Sequence, residues 1–207
     1  MTITEIREFR KGRYQIFLDG EFAFVLYRGE LRRYSLREGE EIAAEDYKEI
    51  LEKVLPKRAK LRCMNLLQSK SYTEKQLRDK MRDGLYPEAA MDEAIAYLKS
   101  YHYVDDDQYA EDYIFCHMEE RSRTRIEQDL MKKGISKDVT REAFQRLEDK
   151  GTVQDETIQI RQFLEKKHFD PENMEKKEQQ KLMASLFRKG FSADKIKQVF
   201  RFYESDY

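Results

Sequence analysis

Three copies of one five-residue pattern constrain this chain more than any other feature. Met81-Arg82-Asp83-Gly84-Leu85, Met131-Lys132-Lys133-Gly134-Ile135 and Phe187-Arg188-Lys189-Gly190-Phe191 each run apolar, basic, polar, glycine, apolar. The glycines stand 50 and 56 residues apart. Each closes an amphipathic stretch, carried by Leu77 and Met81, by Ile126 and Leu130, or by Leu182 and Leu186. Each also precedes another such stretch, carried by Ile95 and Leu98, by Val139, Phe144 and Leu147, or by Ile196, Val199 and Phe200. Glycine suits the left-handed residue that ends a helix. Ser136 and Ser192 are placed to cap the helices that follow, and Ser71-Tyr72-Thr73-Glu74 has the form of a capping box ahead of Leu77. Helices that recur in this way leave an apolar face bare until a neighbouring unit covers it, which predicts a stack of repeats.

The repeat length follows from a second echo. Tyr103-Val104-Asp105-Asp106-Asp107 returns as Thr152-Val153-Gln154-Asp155-Glu156, an apolar residue followed by acids that complement the positive end of a helix. The expected fold is therefore mainly α, with three tandem three-helix repeats at residues 56–104, 105–153 and 154–207 forming an elongated, curved solenoid. Residues 1–55 should precede it as a small β-hairpin region plus a helix. Asp19-Gly20 accepts the positive φ angles of a two-residue turn, and the aromatic and β-branched residues on either side suit paired strands. Residues 2–8 are a candidate third strand. From Ala44 the apolar spacing turns helical, with Tyr47, Ile50, Leu51, Val54 and Leu55 on one face, and Pro56 is expected to interrupt it.

Composition narrows function by exclusion. No apolar run approaches the roughly 18 residues of a membrane-spanning helix, so no membrane role is expected. Cys63 and Cys116 lie far apart with no CxxC, which fits a reducing, cytoplasmic location. There is no GxxxxGK[ST], GxGxxG or GxSxG. His102, His117 and His168 never pair at i, i+4, and the Asp105-Asp106-Asp107 run lacks the alternating ligands of a calcium loop. Helix capping is the better account of those acids. Tyr97, Tyr101, Tyr103, Tyr109 and Tyr113 read as core and junction packing rather than a base-stacking surface. No catalytic residue, cofactor or metal is expected.

With 40 basic and 41 acidic side chains, the net charge points to no partner, but the distribution does. Residues 56–104 carry ten basic against six acidic side chains. Lys57-Arg58-Ala59-Lys60-Leu61-Arg62 opens this stretch, and Arg121-Ser122-Arg123-Thr124-Arg125 opens the middle helix of the next. Basic clusters at related places in successive units suggest a shared groove for phosphates or an acidic protein surface. The candidate contact residues are Arg58, Lys60, Arg62, Arg78, Arg82, Arg121, Arg123, Arg125, Lys132 and Lys133.

The stretch from Tyr103 to Ile114 (YVDDDQYAEDYI), followed by Arg125 to Ile135 (RIEQDLMKKGI), resembles RecX, the bacterial regulator of the RecA recombinase. Tyr72-Thr73-Glu74-Lys75-Gln76-Leu77 adds to the likeness, which covers nearly the whole chain. The sequence departs from the family pattern at Ser122-Arg123-Thr124, where a glycine is common, and in an interruption from His168 to Asn173. The resemblance implies a non-enzymatic protein of three-helix repeats that binds the RecA filament on single-stranded DNA. It would modulate, in the direction of inhibition, the filament's ATPase, strand-exchange and coprotease activities. Weak direct DNA contact and a monomeric state are expected. A stand-alone nucleic-acid-binding module and a helical-repeat protein scaffold are the alternative readings of the residues.

Overall fold

The structure, a computed structural model, describes residues 1–205. It is mainly helical with an N-terminal antiparallel sheet, and it divides into two compact units, residues 1–105 and 106–207.

The first unit opens with strands β1 (Ile3–Arg10), β2 (Arg13–Leu18) and β3 (Glu21–Tyr27), hydrogen-bonded in that order. Asp19 and Gly20 both take positive φ, 50° and 89°, the geometry a two-residue hairpin needs to match strand twist. The expected third strand is present and extends to Arg10. Helices α1 (Arg28–Arg33), α2 (Ala44–Glu49), α3 (Leu55–Leu67), α4 (Glu74–Arg82) and α5 (Glu88–Ser100) follow. Ile3, Ile16, Phe24 and Leu26 of the sheet share one core with Ile50, Leu55, Cys63, Leu77, Met81 and Leu98 of the helices. Fully burying a side chain of this kind contributes about 1.5–3 kcal/mol, so the sheet is anchored by the helices it precedes.

Pro56 does not interrupt the helical path. A π-helical turn at Ile50–Val54 joins α2 to α3, and Leu55 N–H bonds back to Ile50 O. Pro56 falls in the first turn of α3, directly after the wide π turn. The capping box before α4 also sits two residues later than its sequence form suggests. Thr73 Oγ1 accepts from Gln76 N at 3.2 Å while Gln76 Oε1 accepts from Thr73 N at 3.2 Å.

The second unit contains α6 (Asp106–His117), α7 (Arg123–Lys132), α8 (Lys137–Asp149), α9 (Glu156–Lys166), α10 (Lys176–Arg188) and α11 (Ala193–Ser205). It has two cores. One gathers Ala110, Ile114, Ile126, Leu130, Ala143 and Phe144 from α6, α7 and α8; the other gathers Ile160, Leu164, Leu186, Ile196 and Val199 from α9, α10 and α11. Ser136 Oγ accepts from Val139 N and Ser192 Oγ from Lys195 N, as their positions before α8 and α11 anticipate.

The motif glycines act as helix stops in two of the three copies. Gly134 and Gly190 have φ of 95° and 91°. After them Ile135 N and Phe191 N return to Leu130 O and Leu186 O. In the first copy the left-handed residue is Leu85, at φ 58°, rather than Gly84. The Tyr86 ring folds against Gly84 so closely that a Cβ there would lie 3.0 Å from it, which accounts for glycine at that position instead.

Candidate functional site

A group of basic side chains lies in the second unit, where the end of α6 and the loop after it, one side of α7 and the C-terminal end of α10 meet. The sequence brings them together through one close approach. Ser122 caps α7, its Oγ accepting from Arg125 N at 3.3 Å, and the same hydroxyl donates to Lys189 O at 2.7 Å across 67 residues of chain. A Cβ on Gly190 would lie 2.6 Å from that oxygen, so glycine is required there for space as well as for φ.

Further buried polar contacts hold α9 to the same corner. Glu156, 5% exposed, accepts from Arg123 N at 2.7 Å and from Lys195 Nζ at 2.8 Å. Gln154 Nε2 donates to Arg121 O at 2.6 Å, and Gln159 donates to Met118 O. The bonds these groups donate and accept fix the corner's geometry, although Gln154 Oε1 and Gln159 Oε1 are buried without a partner.

The resulting cleft has a volume of about 650 Å3 and is lined by Tyr113, Arg121, Ser122, Arg125, Lys132, Lys133, Arg188 and Lys189, with Glu120 and Asp129 as its acids. Asp129 is engaged within the site: Arg121 Nη1 reaches its Oδ2 at 2.9 Å and Arg125 Nε at 3.3 Å. Arg121 Nη1 also donates to Tyr113 Oη at 2.7 Å. Lys132, Arg188 and Lys189 make no salt bridge among the described residues. Tyr113 gives the cleft an aromatic side; Tyr109, outside the lining, lies nearly parallel to it with centroids 6.3 Å apart, and Lys133 Nζ stands over both rings. Beside Tyr113, burial and then the Arg121 charge push the His117 imidazole below its ordinary value, which favours its neutral form.

A groove of mixed lining, with Glu119, Asp155 and Lys166 beside its apolar side chains, adjoins the cleft and shares Glu120, Lys189 and Phe191 with it. Its volume is about 1120 Å3. Phe115, Val153 and Ile158 line it and remain 62%, 69% and 51% exposed. Apolar side chains grouped at this exposure mark a surface meant to be covered.

Of the ten residues chosen from sequence, the cleft collects Arg121, Arg125, Lys132 and Lys133. Arg123 turns away, pairs with Glu127 and Glu148, and lies over the Phe144 ring. In the first unit Arg58 is largely buried, bonded through Nη1 to Val25 O and Glu30 Oε2 at 3.0 Å each. Lys60 pairs with Glu93, Arg78 with Glu74 and Asp92, and Arg82 with Asp79 and Glu88. Arg62 has no ion pair among the described residues. The cleft adds Arg188 and Lys189, which the sequence reading passed over although they occupy the same motif positions as Lys132 and Lys133. Tyr101 and Tyr103, read as packing residues, stand 59% and 52% exposed.

Comparison with known proteins places the chain in a family. The model of the first three-helix domain of RecX matches residues 59–98, and that of the third matches residues 154–200. The regulatory protein RecX of Caldanaerobacter subterraneus subsp. tengcongensis is 34% identical over 201 residues, covering 96% of this chain and 98% of its own. The chain belongs to the RecX family. The regulatory protein RecX of Clostridium beijerinckii is 31% identical over 204 residues, covering 97% and 94% of the two chains. A crystal structure of regulatory protein RecX superposes with a TM-score of 0.60 at 23% identity, covering 96% of this chain and 98% of that one, and so supports the fold. RecX from Lactobacillus salivarius gives a TM-score of 0.60 at 25% identity over 73% of this chain. Within this RecX chain, α10 and its Arg188-Lys189 pair lie inside the matched third domain, whereas α7 lies between the two matched segments.

Proposed function

We propose that the protein is a non-enzymatic regulator of the RecA recombinase. It binds the RecA filament on single-stranded DNA and inhibits its ATPase, strand-exchange and coprotease activities, and the cleft of the second unit is a principal contact. The observation that carries this reading is the pairing, on one unit, of a basic cleft with a neighbouring groove that exposes Phe115, Val153 and Ile158. A partner that fits both must offer anionic groups and apolar protein surface together, as a nucleoprotein filament does. Membership of a family whose members are named regulatory proteins supports it. The three helical segments, 56–104, 105–153 and 154–207, would each add a modest contact, and tethered contacts multiply through effective concentration.

The experiment is a titration of the protein into RecA assembled on single-stranded DNA with ATP, reading the steady rate of hydrolysis. The rate should fall with increasing protein. An unchanged rate over a wide concentration range would sink the proposal. Tight DNA binding without any effect on RecA would favour a stand-alone nucleic-acid module in its place.

A further inference from the structure

The N-terminal sheet gives only one face wholly to the core. Along β2, Ile16 and Leu18 are buried, while Arg13, Gln15 and Phe17 between them point to the other side. The strand register extends this outward set across the sheet: Phe17 lies opposite Glu5 and Phe22, Gln15 opposite Arg7 and Val25, and Arg13 opposite Arg10 and Tyr27. Val25 and Tyr27 are closed off by Arg58, which bonds to Val25 O and lies 4.1 Å over the Tyr27 ring. Of the rest, Arg7, Arg10 and Phe22 are exposed, while Glu5, Arg13, Gln15 and Phe17 are half-buried.

Its chemistry is unusual for an open sheet. Three arginines place their guanidinium carbons over aromatic rings: Arg7 at 5.2 Å from the centroid of Phe17, Arg10 at 4.9 Å from that of Phe9, and Arg13 at 5.2 Å from that of Tyr27. Phe22 meets Phe17 edge to face at 6.0 Å and remains 43% exposed. Glu5 is the acid of these cross-strand rows, and it holds Arg7 through two bonds of 2.8 and 3.0 Å. Arg10 additionally donates to Asp83 O at 3.3 Å. A guanidinium over a ring keeps its outer face available for a base; Glu5 takes the edge of Arg7, whereas Arg10 and Arg13 make no ion pair among the described residues and keep N–H groups for a phosphate.

We propose that this outward face of the β1-β2-β3 sheet binds single-stranded nucleic acid. Phe22 and the Arg7 guanidinium are the base platforms, and Arg10 and Arg13 meet phosphates. From Arg13 to Phe17 the strand spans about 13 Å at roughly 3.3 Å per residue. Open sheets with aromatic platforms stack two or three bases. An acidic protein would satisfy the arginines but leave Phe22 uncovered, and a duplex offers no unstacked base to it. The site lies outside both family-matched segments, which begin at residue 59, and the inference is independent of the filament reading because its test contains no recombinase.

The test uses the full chain and a single-stranded oligonucleotide of about 16 residues carrying 5-iodouracil, with binding followed by anisotropy. Irradiation should cross-link the oligonucleotide within residues 3–27. Phe22→Ala, with its thermal midpoint checked against the parent, should weaken binding about tenfold. Arg10→Gln should lower the slope of log affinity against log salt by about 0.7, and it alone decides the matter if Phe22→Ala does not fold. Cross-links lying only outside the sheet would overturn the proposal. So would unchanged binding in the folded variants, a duplex that binds as tightly as the single strand, or polyglutamate that competes as well as an oligonucleotide of equal charge.

Discussion

Gly190→Ala should destabilise the second unit far more than the same change at another left-handed glycine, because two penalties fall on one position. At φ 91° an alanine costs about 1–2 kcal/mol relative to glycine. The added Cβ would also stand 2.6 Å from Ser122 Oγ and 3.4 Å from Arg125 N. Ser122 is 1% exposed, so its hydroxyl cannot swing into water. Displacing it breaks the α7 cap, worth about 1 kcal/mol, and the bond to Lys189 O, worth about 1 kcal/mol more. The sum is about 3–4 kcal/mol. Gly151, at φ 84° with nothing within 4 Å of a Cβ, provides the control, since Gly151→Ala should incur only the backbone penalty. The two variants should differ by about 2 kcal/mol, or roughly 4–8 °C in a chain of this size. Urea unfolding followed by circular dichroism measures each. In a Ser122→Ala background the Cβ has no hydroxyl to strike, so the extra penalty at Gly190 should vanish and the double-mutant cycle should return a coupling of about 2 kcal/mol. If the two glycine variants agree within about 0.5 kcal/mol, or the coupling is absent, Ser122 does not tie α7 to α10 and the cleft is not built as described.

Three further expectations separate function from scaffolding. Reversing the unpaired cleft charges with Lys132→Glu, Arg188→Glu and Lys189→Glu should raise the protein concentration needed to inhibit RecA hydrolysis about tenfold or more and reduce its salt dependence; inhibition at the parental concentration refutes the placement. Arg58→Ala should lower stability by about 2–3 kcal/mol, since it removes two bonds at the sheet, yet leave that inhibition curve unmoved once corrected for the folded fraction. Glu111, 9% exposed, has its carboxyl held below the ordinary range first by a hydrogen bond from Lys150 and then, against the opposing effect of burial, by one from Arg146. A folded value below the unfolded one contributes stability that is complete above roughly pH 4.3 and lost as the pH falls through the folded value. Glu111→Gln should therefore cost about 1–2 kcal/mol at pH 7, discounted for its solvated partners, and clearly less at pH 3; a pH-independent difference in urea midpoints rules out the carboxylate as the source.

What the sequence revealed divides along a physical line between local and distant chemistry. The Asp19-Gly20 turn, the Ser136 cap and the stops at Gly134 and Gly190 depend on a few adjacent residues, and all were legible. The misplaced features were those that packing decides. Pro56 lies inside the helical path because a π turn precedes it, and the first motif shifts its left-handed residue to Leu85 because the Tyr86 ring occupies the space beside Gly84. Charge was the least legible property of all. Arg58 and Lys132 are both cations on helices, yet one bonds to the buried edge of a sheet and the other faces solvent, and composition is identical for both roles. The one signal able to tell them apart was the repeat. Lys132-Lys133 and Arg188-Lys189 each precede a helix-ending glycine, and a residue there projects from the last turn whatever lies beneath it. Ser122 holds the Lys189 turn of α10 against the start of α7, and both basic pairs line the cleft formed there. The motif that first argued for repetition thus also supplies the cleft's charge, because the geometry that closes a helix is the geometry that presents the residues just before its end.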